Sequence, residues 1–152
     1  MATTLNNATL TVRVIEEITL NGSQKGSTNK HEIRSINEVT ERIVSVPTST
    51  VTILSASNIV GPGTYVSSSI KYMRLTNLDD TNFVRISFAS GSSSQANTSD
   101  LKLEAQRSMM FTNTSISGSA NGAVFDSFTG FTDMKATADT DAVDLEIFIA
   151  SS

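Results

Sequence analysis

The sequence predicts an all-β protein, built as a single antiparallel β-sandwich or barrel, jelly-roll-like, with about eight or nine short strands and little helix. Several short runs alternate apolar and polar residues, which is typical of strands with one buried face. Turn-forming Gly, Pro, Asn and Ser separate these runs, as they do in sandwiches and jelly rolls. Charged residues make up only 17% of the chain. The abundant Ser, Thr and Asn compete with helical hydrogen bonds, which favours strands and turns.

The length of 152 residues suits one domain with a proper core. Residues 1–8 are small and polar, and we expect them to form an extended N-terminal arm. We expect residues 9–152 to form a single β-sandwich domain, because no internal repeat or linker divides them.

Residues 9–20 predict the first strand, in which Leu10, Val12 and Val14 share one face. Glu16 falls on the same face, which indicates a β-bulge or a strand that leaves its sheet. The Gly, Ser and Asn of residues 21–29 predict a flexible loop.

Residues 30–46 are open to two interpretations. Their apolar residues are spaced near the helical period, but Ile, Val, Thr, Ser and Asn dominate the segment. Because β-branched residues lower helix propensity, the composition favours two strands, about 31–37 and 40–46, with a kink at 37–38. A helix remains the alternative.

Residues 69–88 predict a β-hairpin, because two alternating runs flank a polar turn whose side chains bond their own backbone. One face supplies the predicted core: Met73, Leu75, Val84, Ile86 and Phe88. The other face carries Tyr72, Arg74, Phe83 and Arg85. Two registers fit the turn: Arg opposite Arg, or each Arg against an aromatic ring. This face is either ordinary solvated surface or a partner contact, since Tyr, Phe and Arg are enriched at interfaces.

The C-terminal half predicts strands at 101–105, 108–112 and 142–150, with loops rich in Ser, Asn and Gly between them. In the last strand Val143, Leu145, Ile147 and Ile149 are expected to face inward. Three aromatic residues in a Gly-containing segment predict an apolar cluster, used either in the core or in an oligomer contact: Phe125, Phe128 and Phe131.

Charge and composition exclude several classes of partner and site. The net charge is −4 and no cluster of Lys and Arg occurs, so we expect no nucleic-acid partner. No cysteine is present, so neither a disulfide framework nor a thiolate metal site is possible. No apolar run approaches the roughly 20 residues that a membrane-spanning helix needs. The N-terminus lacks signal-peptide features, so we expect synthesis in a cytoplasm and no membrane partner.

The sequence contains no recognisable catalytic motif. A Ser-His-Asp triad would have to use His31, the one histidine, which is better explained as a solvated strand residue. The acidic residues Asp139, Asp141 and Asp144, with Asp133 nearby, do not match an EF-hand spacing and suit a solvated loop. We therefore expect no enzymatic activity, no cofactor and no metal.

Residues 9–23, 42–49 and 71–86 resemble small β-sandwich virion proteins of cyanobacterial phages. Residues 103–111 resemble a recurring pattern in those proteins, in which a strand, a short turn, Ser and an apolar strand follow one another. There Gly often stands where this chain has Gln106. Such proteins are capsid decoration (cement) proteins or other structural parts of tailed-phage virions, and the resemblance implies a similar role here.

The resemblance implies a component of the particle. Our first hypothesis is a decoration protein on the capsid exterior that binds the major capsid protein and copies of itself, with a trimer as one expected oligomer. The interface candidates are Thr3, Thr4 and Leu5 in the arm, the hairpin face Tyr72, Arg74, Phe83 and Arg85, and the aromatic residues Phe125, Phe128 and Phe131. The alternative is a tail, neck or fibre-base structural protein. A carbohydrate-binding module is disfavoured, because the chain has no Trp and only two Tyr for a glycan platform.

Overall fold

The computed structural model describes residues 6–55, 69–90, 97–112 and 133–152. These residues form twelve antiparallel strands and no α-helix. The strands are β1 (Ala8–Ile15), β2 (Ile18–Leu20), β3 (Ser23–Lys25), β4 (Thr28–Ile36), β5 (Glu38–Val46), β6 (Val51–Ser55), β7 (Ile70–Asn77), β8 (Val84–Ser90), β9 (Asn97–Leu103), β10 (Ser108–Thr112), β11 (Asp133–Ala138) and β12 (Val143–Ser151). The described residues form no helix long and apolar enough to span a membrane.

The last eight strands pair from the outside inward. β5 pairs with β12, β6 with β11, β7 with β10 and β8 with β9. Two further pairings, of β12 with β7 and of β11 with β8, complete two four-stranded sheets. Sheet 1 has the order β10-β7-β12-β5, and sheet 2 has the order β6-β11-β8-β9. This nested pairing across two sheets is a jelly roll, so the predicted fold class is confirmed.

The core lies between the inner faces of the two sheets. The five predicted core residues are buried, with Met73, Leu75, Val84 and Ile86 at 0% exposure and Phe88 at 4%. The predicted inward face of the last strand is also buried. Burying each such large apolar side chain stabilises the fold by about 1.5–3 kcal/mol relative to leaving it exposed.

The predicted hairpin over residues 69–88 is wrong. β7 belongs to sheet 1 and β8 to sheet 2, so residues 78–83 form a crossover between sheets. Neither predicted register exists. Arg74 lies opposite Met110 and Phe148, whereas Arg85 lies opposite Lys102 and Thr137. Alternation marks a half-buried strand but does not select its partner, because every strand of a sandwich has the same period.

A buried carboxamide organises this crossover. Asn77 is 0% exposed. Its Nδ2 donates to the carbonyl oxygens of Asn82 at 2.9 Å and Leu103 at 3.3 Å, and its Oδ1 accepts from the Asp79 N–H at 2.9 Å. The Asp79 carboxylate then accepts from the backbone N–H groups of Thr81 at 2.8 Å and Asn82 at 2.6 Å. The turn residues therefore bond their own backbone as predicted, but in a crossover.

A second crossover, residues 104–107, packs against the first and leads from β9 in sheet 2 to β10 in sheet 1. Gln106 N–H donates to the Asp79 carbonyl at 3.0 Å, and Asn77 N–H donates to the Arg107 carbonyl at 3.0 Å. Gln106 has φ +56°, in the left-handed region that glycine adopts most readily. Direct backbone hydrogen bonds thus join these two crossovers between the sheets.

The N-terminal strands form one long hairpin outside the jelly roll. β1 pairs with β4, and β2 pairs with β3. The turn at its end is Asn21-Gly22, with φ +50° and +74°, the type I′ geometry that joins hairpin strands. The predicted loop over 21–29 is therefore wrong. The predicted irregularity at Glu16 is confirmed, because β1 ends at the residue before it.

Residues 30–46 form strands, so the helix alternative is wrong. β4 and β5 are separated only by Asn37, close to the predicted kink. They are not neighbours in a sheet: β4 ends the hairpin, whereas β5 is an edge strand of sheet 1.

Residues 1–5 lie outside the described residues. The division into an arm and a single domain stays a prediction.

Asn77→Ala is expected to lower the free energy of unfolding by roughly 1–3 kcal/mol, because it leaves buried carbonyl and N–H groups without a partner. Chemical denaturation in urea measures the change. Asn29→Ala is the control, because the Asn29 amide bonds only an exposed Ser27 hydroxyl among the described residues, at 3.1 Å. A loss for Asn77→Ala no greater than that of the control would contradict the role assigned to Asn77.

The lowered pKa of the Asp79 carboxyl predicts that the stability of the fold depends on pH. The Asn82 and Thr81 backbone N–H groups hold the pKa of the Asp79 carboxyl below its ordinary value of 3.8. A lowered folded-state pKa stabilises the fold above the unfolded-state pKa, and this contribution is lost as the pH falls through the folded-state value. The unfolding free energy of Asp79→Asn should therefore fall less steeply below about pH 4 than that of the wild type.

Urea titrations between about pH 2 and pH 7 measure this difference over the range in which carboxyl groups titrate. Asp80→Asn is the matched control, since the Asp80 carboxylate accepts from the Thr81 hydroxyl at 2.9 Å, not from a backbone N–H. Parallel wild-type and Asp79→Asn profiles would contradict the prediction.

Candidate functional site

The base of the long hairpin covers part of the outer face of sheet 1. Half-buried Leu10, Val12 and Ile33 pack against Tyr72 and Phe148 of that face. The Tyr72 and Phe148 rings meet edge to face, with centroids 5.8 Å apart, a preferred aromatic geometry. This second, smaller apolar cluster attaches the hairpin to the jelly roll.

Tyr72 and Arg74 lie on this covered face and are engaged within the chain. Tyr72 is only 5% exposed, and this burial raises the pKa of its phenol, a shift that the nearby Arg74 charge reduces. Arg74 Nη2 lies 3.1 Å from Glu146 Oε2, and its guanidinium lies 5.8 Å from the Phe148 ring centroid. Arg74 Nε is buried and has no hydrogen-bond partner in the described part of the chain.

Phe83 and Arg85 belong to the other side of the sandwich. Phe83 ends the first crossover, where Lys102 Nζ lies 4.2 Å from its ring centroid. Arg85 is exposed on β8 of sheet 2. The expectation that Tyr72, Arg74, Phe83 and Arg85 form one face is therefore wrong, because that face assumed a hairpin that the chain does not form.

The other interface candidates are not placed by the structure. Thr3, Thr4 and Leu5, like Phe125, Phe128 and Phe131, lie outside the described residues. Their use as partner contacts stays a prediction.

The distal half of the hairpin differs from its base. Every residue from Ile15 to Glu32 is exposed, and three of them are large aliphatic residues, Ile15 at 62%, Ile18 at 56% and Leu20 at 57%. We call residues 15–27 the hairpin tip. Ile18 pairs with Lys25 across the ladder, and Leu20 pairs with Ser23, so Ile18, Leu20 and Lys25 share one face. The sequence signal for this tip was the Asn21-Gly22 pair, a typical type I′ turn, which follows the β-branched Ile18 and Thr19.

A glycine fixes the direction of the tip. Gly26 has φ +142°, and a Cβ built on it would lie 2.0 Å from the Glu16 carbonyl oxygen. Glu16 N–H donates to the Ser27 carbonyl at 2.9 Å, and Ser27 Oγ donates to Glu16 Oε2 at 3.0 Å. The two strands therefore approach too closely here for any side chain at position 26.

A second exposed apolar surface lies on β5, an edge strand of sheet 1. Val39, Glu41 and Ile43 point outward, since Thr40, Arg42 and Val44 alternate with them and are less exposed. Val39 is 54% exposed and Ile43 is 63% exposed. We call these three outward residues the β5 strip.

An open groove of about 280 Å³ runs between β1 and sheet 1. Leu10 and Val12 line it on one side, and Tyr72, Arg74 and Met110 line it on the other. It is a seam between the hairpin and the sheet that supports it.

The acidic residues weighed as calcium ligands do not come together. Asp133 begins β11 and accepts from Ser55 Oγ at 3.0 Å, whereas Asp139 and Asp141 follow the opposite end of that strand. No group of three or more His, Asp or Glu side chains able to hold a metal occurs within 6–55, 69–90, 97–112 and 133–152. His31 is exposed on β4 opposite Val12.

No protein family and no curated protein matches this chain. A solved structure from Bacillus, described as an endospore appendage of a family of disulfide-linked pili, is similar over 76% of this chain and 87% of its own. The sequence identity is 17% and the TM-score is 0.39. A TM-score this low carries no argument about function. This chain has no cysteine, so it cannot form a disulfide link.

Gly26→Ala is expected to distort the hairpin tip while the jelly roll stays folded, because its Cβ would collide with the backbone at Glu16. Amide hydrogen exchange read by NMR should show lost protection in residues 15–28 and unchanged protection in β7 and β12. Gly22→Ala is the matched control: its φ is also positive, but no atom lies within 4 Å of a Cβ built there. Equal protection of the tip in the two variants would contradict the steric role of Gly26.

Proposed function

We propose that this chain is a non-enzymatic structural subunit that works by assembling with other protein chains. The hairpin carries the proposal, because its base packs on sheet 1 while its tip leaves Ile15, Ile18 and Leu20 more than half exposed. Such apolar surface is costly in water unless a partner covers it, and clustered exposed apolar residues mark contact sites. The tip buries little against the described part of its own chain, so we assign it to contact between chains.

The sheet edges support the same proposal. β5 and β10 are the edges of sheet 1, and β6 and β9 are the edges of sheet 2. Edge strands keep unpaired backbone groups that accept strands from other chains. β5 also presents exposed Val39 and Ile43 beside such an edge.

Within this class we propose a capsid decoration protein of a tailed phage of the cyanobacterial type. Its partners would be the major capsid protein and copies of itself, on the capsid exterior, after synthesis in the host cytoplasm. The support is the resemblance of residues 9–23, 42–49, 71–86 and 103–111 to virion proteins, together with a fold that offers contact surfaces. A role of this kind requires neither a cofactor nor a metal.

A tail, neck or fibre-base protein is the second candidate, because the same surfaces would serve assembly elsewhere on a virion. A carbohydrate-binding module is less favoured. Glycan sites use exposed aromatic platforms, and none of the aromatic side chains in the described residues is among the exposed ones.

The test has two levels. Light scattering of the purified 16.2 kDa chain is expected to give a concentration-dependent oligomer, and cryo-electron microscopy of virions should place it on the head. In a stained gel of particles its copy number should approach that of the major capsid protein. Density confined to the tail would transfer the assignment to the second candidate. A monomer at every concentration that is also absent from particles would overturn the structural role itself.

A further inference from the structure

We infer that the hairpin tip of one copy docks on the β5 strip of a second copy, a head-to-tail contact between identical chains. The inference deepens the proposed function and rests on it, since both require the chain to associate. It assigns a specific occupant to each of the two exposed apolar surfaces.

Both surfaces expose large aliphatic side chains. The tip presents Ile18 and Leu20 on one face of a narrow two-stranded ribbon. The β5 strip presents Val39 and Ile43 four positions apart along one strand, at 54% and 63% exposure.

Lys25 on the tip and Glu41 on the β5 strip are charges of opposite sign, and neither makes an ion pair with a described residue. Of the two lysines on the hairpin, Lys30 is paired with Glu32 at 2.5 Å, whereas Lys25 makes no ion pair with any described residue. On sheet 1, Glu146 is paired with Arg74 at 3.1 Å. Glu41, in the middle of the β5 strip, makes no ion pair within the described ranges. Lys25 is the one charged residue of β2, β3 and their turn, whereas Glu16 and Glu17 lie between β1 and β2. The face that carries Ile18, Leu20 and Lys25 would therefore bring one cation to Glu41.

The position of the strip also suits an incoming hairpin. Val39 lies opposite Ala150, and Glu41 lies opposite Phe148. Ala150 and Phe148 belong to the apolar cluster under the resident hairpin base. A tip on the strip would therefore lie beside the resident hairpin and extend the cover of the same sheet face.

A contact between two different surfaces is heterologous, so each copy donates one tip and accepts another. Such contacts close into a ring or continue as a filament. A hairpin tip is small compared with the roughly 1,600 Å² of a standard interface, so a single contact is weak and ring closure strengthens it. Chemical capture is therefore a better first test than an equilibrium measurement.

The absence of cysteine allows directed disulfide trapping. Leu20→Cys and Ile43→Cys are made separately, checked for wild-type urea unfolding, then mixed and oxidised. The expected result is covalent dimers in the mixture at about tenfold the yield of either variant alone. Leu101→Cys replaces Ile43→Cys in the control mixture, since Leu101 is an exposed aliphatic residue on sheet 2.

Reversal of the charges provides an independent test. Lys25→Glu and Glu41→Lys should each weaken self-association about threefold to tenfold in sedimentation velocity. The double variant should restore it, because the pair is re-formed with opposite polarity. A merely structural effect of either substitution would add in the double variant and would not cancel.

The outcomes separate this inference from the proposed function. Oligomers without the Leu20–Ile43 cross-link overturn the docking mode and leave the structural role standing. Efficient dimers of Leu20→Cys alone would show a symmetric contact between tips and would also overturn it. Cross-links in the mixture, with rescue by the double charge reversal, establish the head-to-tail contact.

Discussion

One buried carboxamide connects the two sheets of this protein at one end of the sandwich. Asn77 ends β7 at the point where the chain leaves sheet 1. Its side chain bonds backbone groups of the first crossover and of Leu103 at the end of β9, and its backbone N–H donates to Arg107 in the second crossover. A buried polar group without partners is costly, so the bonds of Asn77 hold Asn82 and Leu103 at fixed places beside β7. The two crossovers are therefore held together at one end of the sandwich.

The consequence for the core is that its apolar residues meet across the sandwich. Met73 and Leu75 on β7 face sheet 2, while Val84 and Ile86 on β8 face sheet 1, and all four belong to the same buried cluster. Had 69–88 been a hairpin, these residues would have lined one face of one sheet. The crossover converts two adjacent amphipathic strands into opposite walls of a core.

The long N-terminal hairpin has two parts with different physical roles. Its base is held by apolar packing on Tyr72 and Phe148, which the jelly roll alone would leave exposed on its outer face. Its tip extends past that support, and Gly26 sets its direction because the backbone at Glu16 leaves no room for a side chain. The hairpin therefore completes its own domain at one end and offers apolar surface at the other. That division suits a subunit that acts through contact rather than through a catalytic cavity.

The sequence by itself determined the inward faces of β7, β8 and β12. The alternation that placed Met73, Leu75, Val84 and Ile86 inside depends only on local period, and it holds whichever strands become neighbours. Composition and turn residues likewise predicted a jelly-roll-like sandwich, because Asn, Gly and Ser favour short strands and tight connections. The Asn21-Gly22 turn could have been predicted in the same way, although we predicted a loop there.

Only the tertiary structure decided which strands pair and which outward residues lie together. Tyr72 and Arg85 were expected on one face, yet they lie on opposite sheets, because pairing depends on contacts between distant residues such as Asn77 and Leu103. The hairpin tip and the β5 strip could not be assigned from sequence for the same reason. Exposure of Ile18 or Ile43 depends on what the rest of the chain covers, and local pattern carries no information about that.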